Sequence, residues 1–336
     1  MFRNPLTIGI DIGHHSVKAV VLRQKKTELE LVAFAEVILS ASVINEQHSV
    51  NAPSLLSAIR KLKKALPFWA RKVVLALPDS AVISKVIQLD ANLSEDEAVF
   101  AVEQALSASS PFPVEELRTD FFPLSAGSFS EPALTLPYQV FAARKETVES
   151  RIKVLRKAGL KPLVVELQTH ALLWLEALVT QQHDVGGQWG VIDIGKCRTA
   201  FCASPTNSAA YHRELAFGTE ASGNQSSQIG ITTEVTAESS EARELFTKQL
   251  ADNLKRQLQL YNSTHPRAVL HGLWVSGGGQ SLVVKEMLQR MLGLEVRWMH
   301  PLAIFERNQK IDVAMEQGQL GQYAVAAGLA VRGSTA

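Results

Sequence analysis

With 336 residues, 46% of them hydrophobic, the chain is long enough for about two domains and a large buried core. Its 34 Lys+Arg against 33 Asp+Glu leave a net charge of +1, so no bulk basic excess points to nucleic acid or anionic lipid as a partner. Two cysteines, Cys197 and Cys202, are too few for a disulfide framework and fit reduced thiols in a cytoplasmic setting.

Residues 1–5 lead into a strand-like run containing Gly and Asp, not a secretory apolar core. Apolar stretches such as 171–175 fall far short of the roughly 20 residues that span a bilayer. A soluble cytoplasmic protein that meets the membrane only through a partner is therefore expected.

Residues 6–12, 17–22 and 28–39 read as three successive strands, the last alternating in the manner of a half-buried antiparallel strand. Pro53 opens a helix reaching about Leu66, and residues 73–77 form a short apolar strand. A strand at 81–89 precedes a helix announced by the capping box Ser94/Glu97, with Val99, Val102 and Leu106 on its apolar face. Pro111-Phe112-Pro113 stops that helix, residues 122–137 read as a loop, and 138–143 as a strand. Val148, Ile152 and Leu155 mark a further helix ended by Gly159 and Pro162. The stretch from about 78 to 159 has the look of an inserted subdomain.

The chain resumes with a strand at 163–167, a helix at 171–178 and a polar turn at 183–187. A second hairpin follows, with its return strand at 198–203. Residues 221–240 are polar and rich in Gly, Ser and Thr, hence a loop; Leu250, Leu254, Leu258 and Tyr261 then stripe a long helix. A buried strand at 270–275, a helix at 282–292, a strand at 295–299 and a Gly/Ala-rich helix at 319–330 complete the reading. Trp174, Phe121, Phe122 and Trp274 are core candidates. Trp69 is expected to be partly exposed, and Arg60, Lys61, Lys63 and Lys64 to form the wet face of a helix.

One phrase occurs twice. Ile10-Asp11-Ile12-Gly13 and Ile192-Asp193-Ile194-Gly195 each end an apolar run and open a tight turn before a second strand. Asp at a strand end suits Mg²⁺, and Gly lets the following backbone N–H groups approach phosphate oxygens. A third element, Ser276-Gly277-Gly278-Gly279, stands between an apolar strand and a helix, where missing Cβ atoms admit a purine or phosphate. The chain has neither a G-x-x-x-x-G-K-[ST] loop nor a G-x-G-x-x-G fingerprint after its first strand.

In this order, the two hairpins and the glycine cluster resemble the actin-like ATPase superfamily. Four further stretches narrow the resemblance to the PilM family of type IV pilus assembly, with its competence and DNA-utilisation relatives. They are residues 77–87 from Leu77-Pro78-Asp79, the run 111–116 from Pro111-Phe112-Pro113, residues 142–151 from Ala142-Ala143-Arg144, and Ala158-Gly159-Leu160-Lys161-Pro162.

The resemblance implies an α/β, actin-like (ribonuclease H-like) fold of two halves with an insert of the FtsA-like 1C type. It implies subdomain 1A over 1–80 and 160–186, 1C over 81–159, 2A over 187–214 and 268–317, 2B over 215–267, and a C-terminal helix at 318–336 returning to 1A. It implies ATP held by Asp11, Gly13, His14, His15, Ser16, Lys18, Asp193, Gly195, Lys196, Cys197, Gly277, Gly278 and Gly279, with Mg²⁺ at Asp11 and Asp193. It also implies a groove for the cytoplasmic tail of a PilN-like bitopic inner-membrane protein, and a place peripheral to that membrane through the partner.

The chain departs from the family pattern at His14 and His15, and at Lys196, Cys197 and Arg198, where small residues are usual. Gln168-Thr169 replaces a Glu-Pro pair. Gln168, with Glu166, is the candidate for handling an attacking water, and since Gln is a poor general base, slow hydrolysis or none is expected. A sugar- or acetate-type kinase and an FtsA-like filament former are the alternatives on the same superfamily fold.

Overall fold

A computed structural model describes residues 5–26, 28–45, 47–124, 134–205, 208–220, 240–307, 309–316 and 320–334. The polar stretch expected as a loop at 221–240 lies almost wholly outside these residues, as does Gln319, where the last helix was expected to begin.

Two five-stranded sheets repeat one topology. The first comprises β1 (Leu6–Ile12), β2 (Ser16–Lys25), β3 (Glu28–Ile38), β4 (Lys72–Leu77) and β8 (Lys161–Leu167), in the order β3-β2-β1-β4-β8. The second comprises β9 (Gln188–Ile194), β10 (Thr199–Ala203), β11 (Tyr211–Leu215), β12 (Leu270–Ser276) and β13 (Glu295–Trp298), in the order β11-β10-β9-β12-β13. In each, two antiparallel pairings run outward from the first strand on one side and two parallel pairings on the other. The duplicated Asp-x-Gly phrase is thus the sequence trace of a duplicated sheet.

Parallel strands at a sheet centre must be covered on both faces, and every residue of β1 is buried. Helices α1 (Ala52–Lys64) and α3 (Lys145–Lys157) cover the outer face of the first sheet through Leu55, Ile59, Val154 and Leu155. Helices α5 (Ser240–Thr264) and α6 (Lys285–Leu292) cover the outer face of the second through Phe246, Leu250, Leu254 and Leu288. Between the sheets lie α4 (Gln168–Gln182) and α8 (Ala324–Ser334). Their Leu172, Leu175, Ala327 and Leu329 share one core with Val20 and Val74 of the first sheet and Val191 and Trp274 of the second. One hydrophobic core therefore joins the two halves. It is tight because Gly328 lets α8 lie against the Ala171 carbonyl of α4, and Gly9 lets it lie against β1.

A three-stranded antiparallel sheet is inserted between β4 and β8. It consists of β5 (Val82–Asp90), β6 (Leu117–Pro123) and β7 (Thr135–Arg144) in the order β5-β7-β6, backed by α2 (Glu95–Ser107). The capping box forms as expected: Ser94 N–H donates to Glu97 Oε2 at 2.9 Å and Glu97 N–H to Ser94 Oγ at 3.4 Å. At the head of α1 proline stands in the first turn as expected, and Asn51, a cap not read from the sequence, accepts Ser54 N–H on its Oδ1 at 3.1 Å.

Several expectations are corrected. β6 and β11 were not anticipated, because both are edge strands in which a run of three polar residues (Arg118-Thr119-Asp120 and His212-Arg213-Glu214) breaks any apolar alternation. Strand structure reaches into both ends of the loop expected over 122–137, since β6 ends at Pro123 and β7 begins at Thr135; residues 125–133 lie outside the described residues. The short helix α7 (Gln309–Glu316) was missed, α6 starts three residues late behind a 3₁₀ turn, and the last helix begins at Ala324. Ala98, not Val99, faces the core of the insert. Phe122 and Trp174, expected in the core, are exposed. The buried face of α3 is Thr147, Arg151, Val154 and Leu155, with Val148 and Ile152 only partly covered. Among the described residues no helix is long and apolar enough to cross a membrane.

Candidate functional site

The equivalent strands β1 and β9 end in equivalent turns. Gly13 N–H donates to Ser16 O at 3.0 Å, and Gly195 N–H donates to Arg198 O at 2.9 Å. These hairpins form facing walls of a cleft of about 450 Å³ between the halves. The structure brings together there Asp11, Gly13, His14, His15, Ser16 and Lys18 from the first hairpin and Asp193, Gly195, Lys196 and Cys197 from the second. Gly277, Gly278, Gly279 and Gln168 complete the expected set.

Glu166 is not among the lining residues. Its carboxylate takes His170 Nδ1 at 2.9 Å, Arg332 Nε at 3.3 Å and the Leu167 N–H at 3.0 Å. Burial opposes its ionisation, but these donors hold the carboxyl below its usual range. Glu166 is thus committed to a bridge between α4 and α8, and of the two water-handling candidates only Gln168 reaches the cleft.

The two aspartates are unlike. Asp11 lies 3.6 Å from the Lys18 ammonium. Asp193 sits at the cleft floor, where burial pushes its carboxyl up to about 6; the Ser276 hydroxyl, donating to Oδ1 at 2.8 Å, opposes that rise, and the Asp11 charge adds to it. Among the described residues nothing hydrogen-bonds Asp193 Oδ2, and Ser16 Oγ is buried without a partner. An orphaned hydroxyl beside a lysine, opposite a desolvated carboxylate, suits a phosphate and a hard cation. The described residues hold no cluster of three or more His, Cys, Asp or Glu. A cation here would therefore rest on one or two carboxylates plus ligand oxygens, which is how Mg²⁺ is commonly held.

Four of the residues that depart from the family pattern, His14, Lys196, Cys197 and Arg198, have clear local partners. His14 Nδ1 lies 3.1 Å from Ser42 Oγ, whose single hydrogen already goes to Ile44 O at 2.7 Å. Nδ1–H must then be the donor, leaving Nε2 of the neutral ring as an acceptor. Burial and the neighbouring Arg198 hold this imidazole below its usual value, so neutral His14 offers no second proton to a phosphate. Lys196 pairs with Glu220 at 3.8 Å and Arg198 with Glu214 at 2.7 Å, so both second-hairpin cations are engaged by acids of their own half. Arg198 also reaches Ser80 Oγ of the first half at 3.4 Å. The Cys197 thiol donates to Glu220 Oε2 at 3.3 Å, and burial pushes its pKa up, making it an inert lining group.

The three glycines divide their roles. Gly277 has φ +91°, and an added Cβ there would meet the backbone of Ile194; one at Gly279 would meet the Ile194 and Thr219 side chains. At Gly278 the nearest atom to an added Cβ is Gln322 Oε1, at 3.9 Å. Gly277 and Gly279 thus let the turn lie on β9, and Gly278 opens onto the cleft. Gly277→Ala is expected to cost about 2 kcal/mol or more, and Gly278→Ala less than about 0.5 kcal/mol, in chemical denaturation.

Sequence reasoning missed Glu36, Ile44, His48, Glu214, Thr219 and Gln322, which also line the cleft. Glu36 and Gln322 meet through a 2.6 Å hydrogen bond across 286 positions, a pairing with no local signature. His48 stands at φ +61° in a turn where Asn45 Oδ1 accepts the Gln47 and Ser49 N–H groups. That Asn was the only available signal for this turn.

The sequence profile of the family described as type IV pilus assembly protein PilM matches residues 9–334. The chain belongs to the PilM family. Among solved structures it is similar to a PilM–PilN type IV pilus biogenesis complex, with a TM-score of 0.80 at 24% identity over 98% of both chains. It is also similar to a nucleotide-free diol dehydratase-reactivating factor, with a TM-score of 0.58 at 8% identity over 99% of this chain and 100% of the other. A third is the ethanolamine utilization protein EutJ from Carboxydothermus hydrogenoformans, with a TM-score of 0.52 at 15% identity over 98% and 90%. The fold of this PilM-family chain is thus actin-like, with its two halves facing each other across the cleft.

Proposed function

We propose that this chain is an actin-like scaffold of a type IV pilus or related DNA-uptake machine that holds ATP with Mg²⁺ between its halves. The observation that carries this reading is the matched pair of Asp-x-Gly hairpins on one cleft, with Ser16 Oγ buried and unpartnered there. Lys18, Ser16 and the turn N–H groups would receive phosphates, Asp11 and Asp193 the cation, and Gly278 the flat face of the base. The bound Mg²⁺ would neutralise phosphate charge. Gln168, at the head of α4, can orient a water but cannot take its proton, so turnover is slow. Mg²⁺–ATP is expected to bind with micromolar affinity in a calorimetric titration, and Gly278→Ala to weaken it about tenfold without unfolding the protein. No binding by the wild type removes the nucleotide from this reading.

A second cleft supports a docking role. A groove of about 570 Å³ runs between the inserted sheet, α4 and β11, lined by Phe122, Phe141, Leu173 and Trp174 with Gln139 and Arg213. It explains why Phe122 and Trp174 are left exposed. We infer that it takes the cytoplasmic tail of a PilN-like inner-membrane protein, the apolar side chains entering and the strand edges aligning the peptide. Its walls come from both halves, so closure on nucleotide would change its width and its affinity for the tail. A labelled synthetic tail is expected to bind in fluorescence anisotropy, and Trp174→Asp to weaken it at least tenfold. Unchanged binding by that variant would move the docking site elsewhere.

A further inference from the structure

The near-zero net charge conceals a segregated surface. Residues 52–78 contain six Lys or Arg and no Asp or Glu, and residues 150–165 contain five and none. The fold brings these segments together. Lys63 Nζ, near the end of α1, donates to Ala158 O at 2.8 Å and Gly159 O at 3.4 Å, just beyond α3. Lys161 N–H donates to Arg71 O at 2.7 Å, and Lys72 pairs with Lys161 where β4 and β8 begin. Lys61, Lys64, Arg71, Lys72, Lys157 and Lys161 are all exposed, and none forms an ion pair among the described residues.

Among these cations stand two aromatic side chains. Phe68 is 77% exposed and Trp69 44% exposed, with rings edge to face at 4.8 Å. They occupy a turn closed by Ala70 N–H donating to Pro67 O at 2.9 Å, and anchored on buried Leu62, Leu66 and Ala70. Cations in the last turn of a helix offset its dipole and need no further reason. A fixed, water-facing Phe–Trp pair has no such explanation, because it leaves apolar area in solvent.

We propose that this end of the first half is a membrane-contact face for anionic phospholipid. Phe68 and Trp69 enter the boundary between headgroups and acyl chains, and the surrounding lysines and arginines meet lipid phosphates. The aromatics point to lipid over nucleic acid: they pack on each other at a protruding turn and leave no slot between them for a base. The face also sits at the far end of the sheet from the cleft. Thr7, at the start of β1, pairs with Lys72, whereas Asp11, near its end, lines the cleft. Membrane contact and an open nucleotide cleft are therefore compatible, and the bilayer contact adds to tail docking without depending on it.

The test is flotation of the full chain, without any partner protein, with vesicles of phosphatidylglycerol and phosphatidylethanolamine or of phosphatidylcholine alone. Binding to the anionic vesicles at low ionic strength is expected, with little to phosphatidylcholine. At about 1 kcal/mol per cation near the surface, Lys61→Gln with Lys64→Gln weakens partitioning about thirtyfold. Phe68→Ser weakens it about tenfold and leaves the melting curve unchanged, since the ring it removes is exposed. No binding to anionic vesicles overturns the proposal. So does binding that Phe68→Ser leaves intact, or a duplex DNA that binds the wild type as tightly as the vesicles do; both would reduce the patch to an unspecific polyanion surface.

Discussion

Asp193→Asn is expected to make the ligand-free protein more stable at pH 7 and, at the same time, to abolish its binding of Mg²⁺–ATP. The carboxyl titrates near 3.8 when solvated but is pushed up to about 6 at the cleft floor, chiefly by burial. Between those values the folded state holds a proton that the unfolded chain has released. Stability therefore falls as pH rises from about 4 to 6, and the whole cost is present above 6. At about 1.4 kcal/mol per pH unit, that cost is of order 2–3 kcal/mol. Asparagine carries no charge at any pH, and its Oδ1 still accepts the Ser276 hydroxyl. The variant should melt a few degrees higher at pH 7, and its melting curves should lack the decline between pH 4 and 6 that this carboxyl causes. In the proposed arrangement the cation would lose one of its two carboxylates, and calorimetry should show at least a hundredfold loss of affinity. An identical pH slope in both proteins would show that Asp193 is not desolvated. Unaltered Mg²⁺–ATP affinity would show that it does not hold the cation. A charge kept at a stability cost fits the cation-holding role proposed for Asp193.

How much of this was legible follows from what leaves a local pattern. The two hairpins were, because an apolar run, an aspartate and a turn glycine are contiguous, and the duplication makes one weak signal strong. The cap at Ser94 was legible for the same reason: donor and acceptor lie within three residues. Edge strands β6 and β11 were not. A strand with one neighbour needs no apolar alternation, and His212-Arg213-Glu214 reads as loop. The walls contributed by Glu36 and Gln322 were not legible either, since only the closed fold brings them together. Glu166 illustrates the converse error. Its position near the end of β8, two residues ahead of α4, suggested work in the cleft, but the sequence gives no sign that Arg332 lies waiting on the other side. Trp174 and Phe122 look like core to any apolarity scale; their exposure becomes sensible only once a groove lies over them.

Gly328→Ala is expected to be the most damaging glycine-to-alanine change among the described residues. The added Cβ would overlap the backbone carbonyl of Ala171, which, unlike a long side chain, cannot swing aside. Helices α4 and α8 would have to part, and the core they would open is the one that joins the two sheets. Overpacking against backbone costs about 3 kcal/mol or more, so a fall in melting temperature of about 10 °C is expected. Gly186→Ala is the control: nothing lies within 4 Å of the added carbon, and its melting temperature should not move. The damage should also reach the cleft. Gln168 opens α4 and Gln322 lies in the 3₁₀ turn (Gly321–Tyr323) that leads into α8, and both line it. Separating the helices displaces those walls together, so Mg²⁺–ATP affinity should fall even below the melting transition. A Gly328→Ala protein that melts with the wild type would mean that the halves are held by something other than this helix crossing. If it melts early but binds nucleotide normally below its transition, the cleft is built by the hairpins alone, and the two helices set only how firmly the halves are held.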